Sequence, residues 1–370
     1  MDDRPRTDGG LDPARNRWPR RRSRWGRRPA RSQEGGPAAT PGGTATYAAL
    51  DLGTNNCRLL VARPTREGFR VVDAFSRIIR LGEGISVTQR ISEAAIDRAI
   101  DALSVCRDKM QQRGVARARL IATEACRSAE NGCEFVARIS EAVGLDLEII
   151  DRETEARLAA TGCTPLVDPE ARGVVLFDIG GGSSELVRMT SVPTDGGPPK
   201  PVIVAWTSLP VGVVTLAERF GGIDVGPALF ERMIDDTLPL VRAFFNGAAG
   251  GRGENVHMLG TSGTVTTIAG VHLGLRRYDR RQVDGCWMTD REISGVVDRL
   301  LQMNYDERAA NPCIGTERAD LVLAGCAIME AIRRTFPCTR LRVADRGLRE
   351  GILVELMRAD GVWADAARSA

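Results

Sequence analysis

Apolar runs in this chain are short, and several of them end in the same way. Val174 to Phe177 is bulky and too brief for a helix, so it predicts a buried strand, and Tyr47 to Leu50 predicts another. Each run stops at an aspartate, Asp51 or Asp178. Small polar residues follow at once: Gly53, Thr54, Asn55 and Asn56 in the first copy, Gly180, Gly181, Gly182 and Ser183 in the second. Apolar strands then resume at Leu59 to Ala62 and at Glu185 to Met189. The pattern predicts strand, sharp turn and return strand, twice. The run Val256 to Leu259 leads into a third turn of the same composition, Gly260, Thr261, Ser262 and Gly263.

The intervening chain fills out two similar units. Phe69 to Ile79 alternates as a strand. Ile91, Ala94, Ala95, Ala99, Leu103 and Cys106 lie on one face of a helix from Ser92, its N-cap, to Arg113. Arg119 to Thr123 reads as a strand, Glu130 to Val143 as a helix and Leu147 to Ile150 as a strand. In the second half a Pro- and Gly-rich loop from Thr190 to Lys200 precedes a strand at Val202 to Thr207. Helices follow at Val211 to Arg219, Pro227 to Phe245, Val265 to Leu273, Asp290 to Met303 and Arg318 to Phe336, with a strand at Leu341 to Val343 and a trailing helix from Leu356 to Ala370. This duplication predicts an α/β protein with the actin-like ATPase (ribonuclease H-like) architecture. Residues 47–163 and 164–370 form two lobes facing a cleft.

Composition changes the picture in three places. With 370 residues and 40 glycines but few aromatics, the chain suits a large α/β core with many tight loops. No apolar run reaches the length of a membrane span and no secretory h-region begins the chain, so a soluble, cytoplasmic protein is expected. Nine cysteines are scattered without C-x-x-C spacing and read as small buried hydrophobes. The two histidines are too few for a histidine metal cluster, and His257, inside an apolar run, reads as a satisfied core residue. Residues 1–46 are crowded with Arg, Pro and Gly and are expected to be disordered. Their arginines account for the net charge of +3 and make them a candidate for holding polyanions.

Glycine at a turn lets bare backbone N–H groups approach a ligand, and the neighbouring hydroxyls add donors, so the turns suit phosphate. A strand follows each hairpin turn where a Walker site requires a helix, and the G-K-[ST] ending is missing, which excludes a P-loop.

Seven segments together resemble one family: D-L-G-T-N-N-C-R-L from Asp51, T-E-A-C-R-S-A-E-N from Thr123, E-T-E-A-R-L from Glu153, D-I-G-G-G-S-S-E-L from Asp178, G-T-S-G-T from Gly260, R-A-D-L from Arg318 and D-R-G-L-R-E-G from Asp345. From Tyr47 to Leu356 the chain resembles the exopolyphosphatase/guanosine pentaphosphate phosphatase (Ppx/GppA) family in its short, two-domain form. Longer members continue into a helical domain, and the early end of this chain implies a preference for short polyphosphate or for a guanosine phosphate. The resemblance implies hydrolysis of a terminal phosphoanhydride bond, of inorganic polyphosphate or alternatively of pppGpp, or else a sensor that binds such anions. It assigns Glu155 as the general base, with Glu153 as the competing choice. It implies Mg²⁺ at Asp51, Asp178 and Glu185, phosphate at the three turns, and substrate contacts from Arg58, Arg127 and Arg318. A homodimer is expected.

Overall fold

The structure, a computed structural model, describes residues 45–194, 197–247, 255–336 and 338–363. The arginine-rich tail before residue 45, with its expected disorder, lies outside them. Eleven strands form two sheets among the described residues.

The first sheet runs β3-β2-β1-β4-β5. Its strands are β1 (Thr46–Leu52), β2 (Asn56–Thr65), β3 (Gly68–Ile78), β4 (Val115–Ala122) and β5 (Glu148–Ile149). The first three form an antiparallel meander, while β4 and β5 join in parallel. The helices of this half are α1 (Ile85–Thr88), α2 (Glu93–Gln112), α3 (Glu124–Ser128), α4 (Gly132–Val143) and α5 (Arg152–Cys163). Ser92 caps α2 as expected, accepting from the Ala95 N–H, and Ala95, Ala99, Leu103 and Cys106 belong to its buried stripe, whereas Ala94 is exposed because it sits one helical step outside that face. Helix α3 carries no apolar period because one turn is too short to show one.

The second sheet runs β10-β11-β9-β6-β7-β8. It comprises β6 (Gly173–Ile179), β7 (Ser184–Thr194), β8 (Gly197–Leu209), β9 (Val256–Thr261), β10 (Trp287–Thr289) and β11 (Arg340–Ala344). Around it lie α6 (Val213–Phe220), α7 (Pro227–Gly247), α8 (Ser262–His272), α9 (Arg280–Val283), α10 (Asp290–Gln302), α11 (Tyr305–Ala310), α12 (Val322–Thr335) and α13 (Leu348–Ala359). β6, β7 and β9 repeat the pairing of β1, β2 and β4, antiparallel on one side and parallel on the other. The fold is the duplicated actin-like α/β architecture.

Four expectations need correction. Thr190 to Lys200 is mostly strand: β7 and β8 pair out to Thr194 and Gly197, and the prolines of β8 fit because an edge strand has N–H groups with no ladder partner. The helix expected from Arg318 begins only at Val322, after turns that leave Arg318 in a loop. The trailing helix lies earlier than expected, ending at Ala359, and residues 364–370 fall outside the description. That helix also leaves its assigned lobe, since Ile352, Leu353 and Met357 of α13 pack with Tyr47, Ala49 and Leu60 of the first sheet. In return, Ala156, Ala160 and Cys163 of α5 pack with Val174, Leu176, Val187 and Met189 of the second.

Helices α5 and α13 therefore cross between the sheets, and their backbones touch. A Cβ on Gly162 would lie 1.9 Å from the Gly347 carbonyl oxygen, and one on Gly351 2.0 Å from that of Leu158. The lobes also meet outside that helix pair. Arg80 pairs with Asp320 at 3.1 Å, and Glu218 accepts from the Gly84 N–H at 2.9 Å and the Ser86 hydroxyl at 2.5 Å.

Candidate active site

Both hairpins close in the same way. The Gly53 N–H donates to the Asn56 carbonyl and the Gly180 N–H to the Ser183 carbonyl, each at 2.9 Å. Asp51 stands opposite Arg58 in the first register and Asp178 opposite Glu185 in the second. Cross-strand partners share a face, so each hairpin sends a pair of charged side chains the same way. The tips touch across the lobes. Cβ atoms on Gly181 and Gly182 would lie 2.9 Å from Thr54 Cβ and Oγ1, so any larger residue would push the hairpins apart.

The third turn is not a hairpin. Gly260 and Thr261 end β9, and Ser262 and Gly263 begin α8. Ser262 holds φ at 89°, and its buried hydroxyl has no partner. Thr261, Ser262 and Gly263 reach the cleft as the N-terminus of a helix, a favourable place for an anion. Gly260 faces the core instead. A Cβ there would lie 2.6 Å from the Phe177 ring, so packing alone excludes a side chain.

One cavity of about 520 Å³ between the lobes gathers these parts. Its lining includes Asp51, Asp178, Glu155 and Glu185, the residues of both hairpin turns, Arg58 and Arg318. The competing Glu153 is exposed on α5. Glu155 lies one turn into that helix, whose N-cap Asp151 accepts from the Thr154 N–H. Its side chain is 13 % exposed. Arg127 is absent from the cavity wall, contrary to its expected contact with substrate. Its guanidinium is committed to Glu155 at 2.8 Å, Glu124 at 2.7 Å and the Ile150 carbonyl at 2.7 Å, which locks the α5 carboxylate in place.

Crowding four carboxylates into a half-dehydrated space raises their proton affinity. Burial pushes Glu155 up to about 7 against the opposing pull of Arg127, with Asp51 and Asp178 adding repulsion. Asp178 rises to about 6, again through burial, opposed by Arg58 and assisted by Asp51. Burial also raises Asp51, against Arg58 and Arg349, and raises Glu185 although the Ser183 and Ser208 hydroxyls donate to it at 2.8 Å. These hard oxygen donors and the buried, unpartnered Asn55 and Asn56 Oδ1 atoms fit a hydrated divalent cation. Among the described residues no three His, Cys, Asp or Glu side chains converge as a complete metal cage, so the expected set Asp51, Asp178 and Glu185 does not close on one point. Water and phosphate oxygens would have to complete such a site.

His257 is the core residue expected. Its Nε2 accepts from the Asp168 N–H at 3.2 Å and Nδ1 donates to the Met258 carbonyl at 2.8 Å. Most cysteines are buried, although Cys133 is exposed.

The sequence pattern of the Ppx/GppA phosphatase family matches residues 60–360. The chain belongs to the Ppx/GppA phosphatase family. Among solved structures of this family, the Aquifex aeolicus member shares 28% identity over 85% of this chain and 98% of its own, with a TM-score of 0.70. An exopolyphosphatase from Cytophaga hutchinsonii shares 25% over 86% of this chain and 98% of its own, at 0.74. Family membership makes the protein a phosphatase, and no described helix is long and apolar enough to cross a membrane.

Sequence reasoning missed several cavity residues of this Ppx/GppA chain that its own motifs contained, among them Thr123, Glu124, Asp345, Arg346, Arg349 and Glu350. Arg349, in D-R-G-L-R-E-G, lines the cleft from the first turn of α13 and acts electrostatically on Asp51. A charge inside a glycine-bearing motif just after a strand was the available signal.

Proposed function

We propose that the protein is an exopolyphosphatase that releases orthophosphate from the end of inorganic polyphosphate. The observation that carries this reading is Glu155: a shielded carboxylate with a proton affinity near neutrality, clamped by Arg127, facing a cavity lined by two hairpin turns and a helix N-terminus. A base of that affinity can take a proton from water at physiological pH. The Gly180 to Ser183 and Gly53 to Asn56 turns and the α8 N-terminus would hold the phosphates. Mg²⁺ would sit among water and phosphate oxygens, with Asp51 and Asp178 bordering it directly or through water, and would neutralise phosphate charge.

One observation favours pppGpp as a second substrate. The cavity lining includes Pro312, Ile314, Leu321 and Val322, which flank Arg318 in the chain and offer an apolar surface that suits a base better than a phosphate chain. Phosphate release from polyphosphates of graded length and from pppGpp, by wild type and Glu155→Gln, tests both readings. Release from neither by wild type, despite binding, would leave a sensor.

A further inference from the structure

The segment Asp345–Glu350 joins β11 to α13 and carries four charged side chains, three of which are paired. Asp345 accepts from the Tyr278 hydroxyl at 2.7 Å, and its carbonyl accepts from Arg280 at 2.5 Å. Arg346 donates to Asp284 at 3.1 Å. Glu350 accepts from Arg280 and from the Gly347 N–H, each at 2.9 Å. Arg349 alone makes no hydrogen bond or ion pair with a described residue, though it is half-buried and lines the cavity. The network around it holds the segment still, so its guanidinium is presented rather than used.

Electrostatic neighbours locate it. Arg349 feels Glu350, Arg58, Asp51 and Asp345, while Glu155 feels Arg127, Asp51 and Asp178. Asp51 is common to both sets, so Arg349 and Arg58 belong to the Glu155 end of the cavity. Arg318 stands beside the third turn, where a Cβ on Gly263 would lie 3.7 Å from its Nη1. Two neighbouring guanidiniums without acceptors repel each other, and an anion between them removes that cost. The backbone contact of α13 with α5 seats the helix turn that carries Arg349 against the helix that carries Glu155.

We propose that Arg349 is a catalytic residue that grips the terminal phosphoryl group beside Arg58 and neutralises charge on its non-bridging oxygens. This rests on the phosphoanhydride hydrolase reading. In that step the water oxygen bonds to phosphorus, the bridging P–O bond breaks with its electron pair leaving on the shortened chain, and the water proton passes to Glu155. The product is orthophosphate.

The test compares wild type, Arg349→Ala, Arg349→Lys and Arg318→Ala with inorganic tripolyphosphate. Its readouts are phosphate-release kinetics, calorimetric binding, thermal unfolding and rescue by guanidinium ion. Arg349→Ala should lower kcat by about 100-fold or more, as loss of a charge-neutralising arginine does, with a smaller change in KM. Guanidinium should restore part of kcat, Arg349→Lys should stay impaired because it lacks the planar fork, and Arg318→Ala should act mainly on KM. A kcat within threefold of wild type in Arg349→Ala would overturn the proposal. So would an unrescued loss that accompanies a lowered unfolding midpoint in both Arg349 variants. Should wild type release no phosphate, the hydrolase reading fails and binding decides: at least tenfold weaker tripolyphosphate binding in Arg349→Ala supports the contact, and unchanged or absent wild-type binding overturns it.

Discussion

Replacing Glu155 with Gln removes one ionisable group from a set whose members repel one another, and stability and activity should move in opposite directions. In the unfolded chain Glu155 titrates near 4.5, and in the folded protein burial raises it to about 7. A raised carboxylate is protonated more readily when folded, so folding is penalised increasingly as pH climbs between the two values. At pH 8 the difference amounts to about 3 kcal/mol at 1.36 kcal/mol per unit. Gln cannot ionise, which removes that penalty, and because the raised value already includes the pull of Arg127 the net gain at pH 8 is about 3 kcal/mol. Near pH 4.5 the folded carboxyl is protonated, no ionic bond from Arg127 is there to be lost, and the two proteins should be nearly equal in stability. Thermal unfolding of cation-free wild type and Glu155→Gln at both pH values measures the difference. Phosphate release on the same samples should fall by about 10²–10⁴-fold, the usual contribution of a general base, and the wild-type ascending limb near pH 7 should disappear. Equal unfolding midpoints for the two proteins at pH 8, or full activity in the variant, would refute the placement of this carboxylate.

Gly351→Ala forces a methyl against the Leu158 carbonyl, so α13 must move away from α5; a loss of about 1–3 kcal/mol in denaturant unfolding and a lower kcat are expected. Because Asp51, Asp178 and Glu185 are all raised above their ordinary range, cation-free protein should lose stability from pH 5 to pH 8, and Mg²⁺ should restore it at pH 8 and do little at pH 5. A calorimetric scan with and without a chelator checks the sign. His257→Leu strands the Asp168 N–H and should cost about 1–3 kcal/mol while leaving kcat of the remaining folded enzyme unchanged.

Much of this was legible in the chain itself. Alternating apolar runs, the recurring aspartate and the glycine turns are local signals, and they specified both hairpins, most helices and the pairing of Asp51 with Asp178 as equivalent positions. The same signals placed Glu155 ahead of Glu153 only through the family resemblance, since two acids in one helical turn look alike until a cleft lies beside one of them. Gly260 shows the limit of composition: it reads like its turn neighbours, yet its missing side chain makes room for the Phe177 ring. Arg127 and Arg349 show it for charge. Whether an arginine serves a carboxylate or an incoming anion depends on which acids surround it, and those come from α3, α5, β1 and α13, elements far apart in sequence. The crossing of α5 and α13 likewise required tertiary packing, because an apolar helix face fits either sheet and only the shape of both lobes together selects which one it covers.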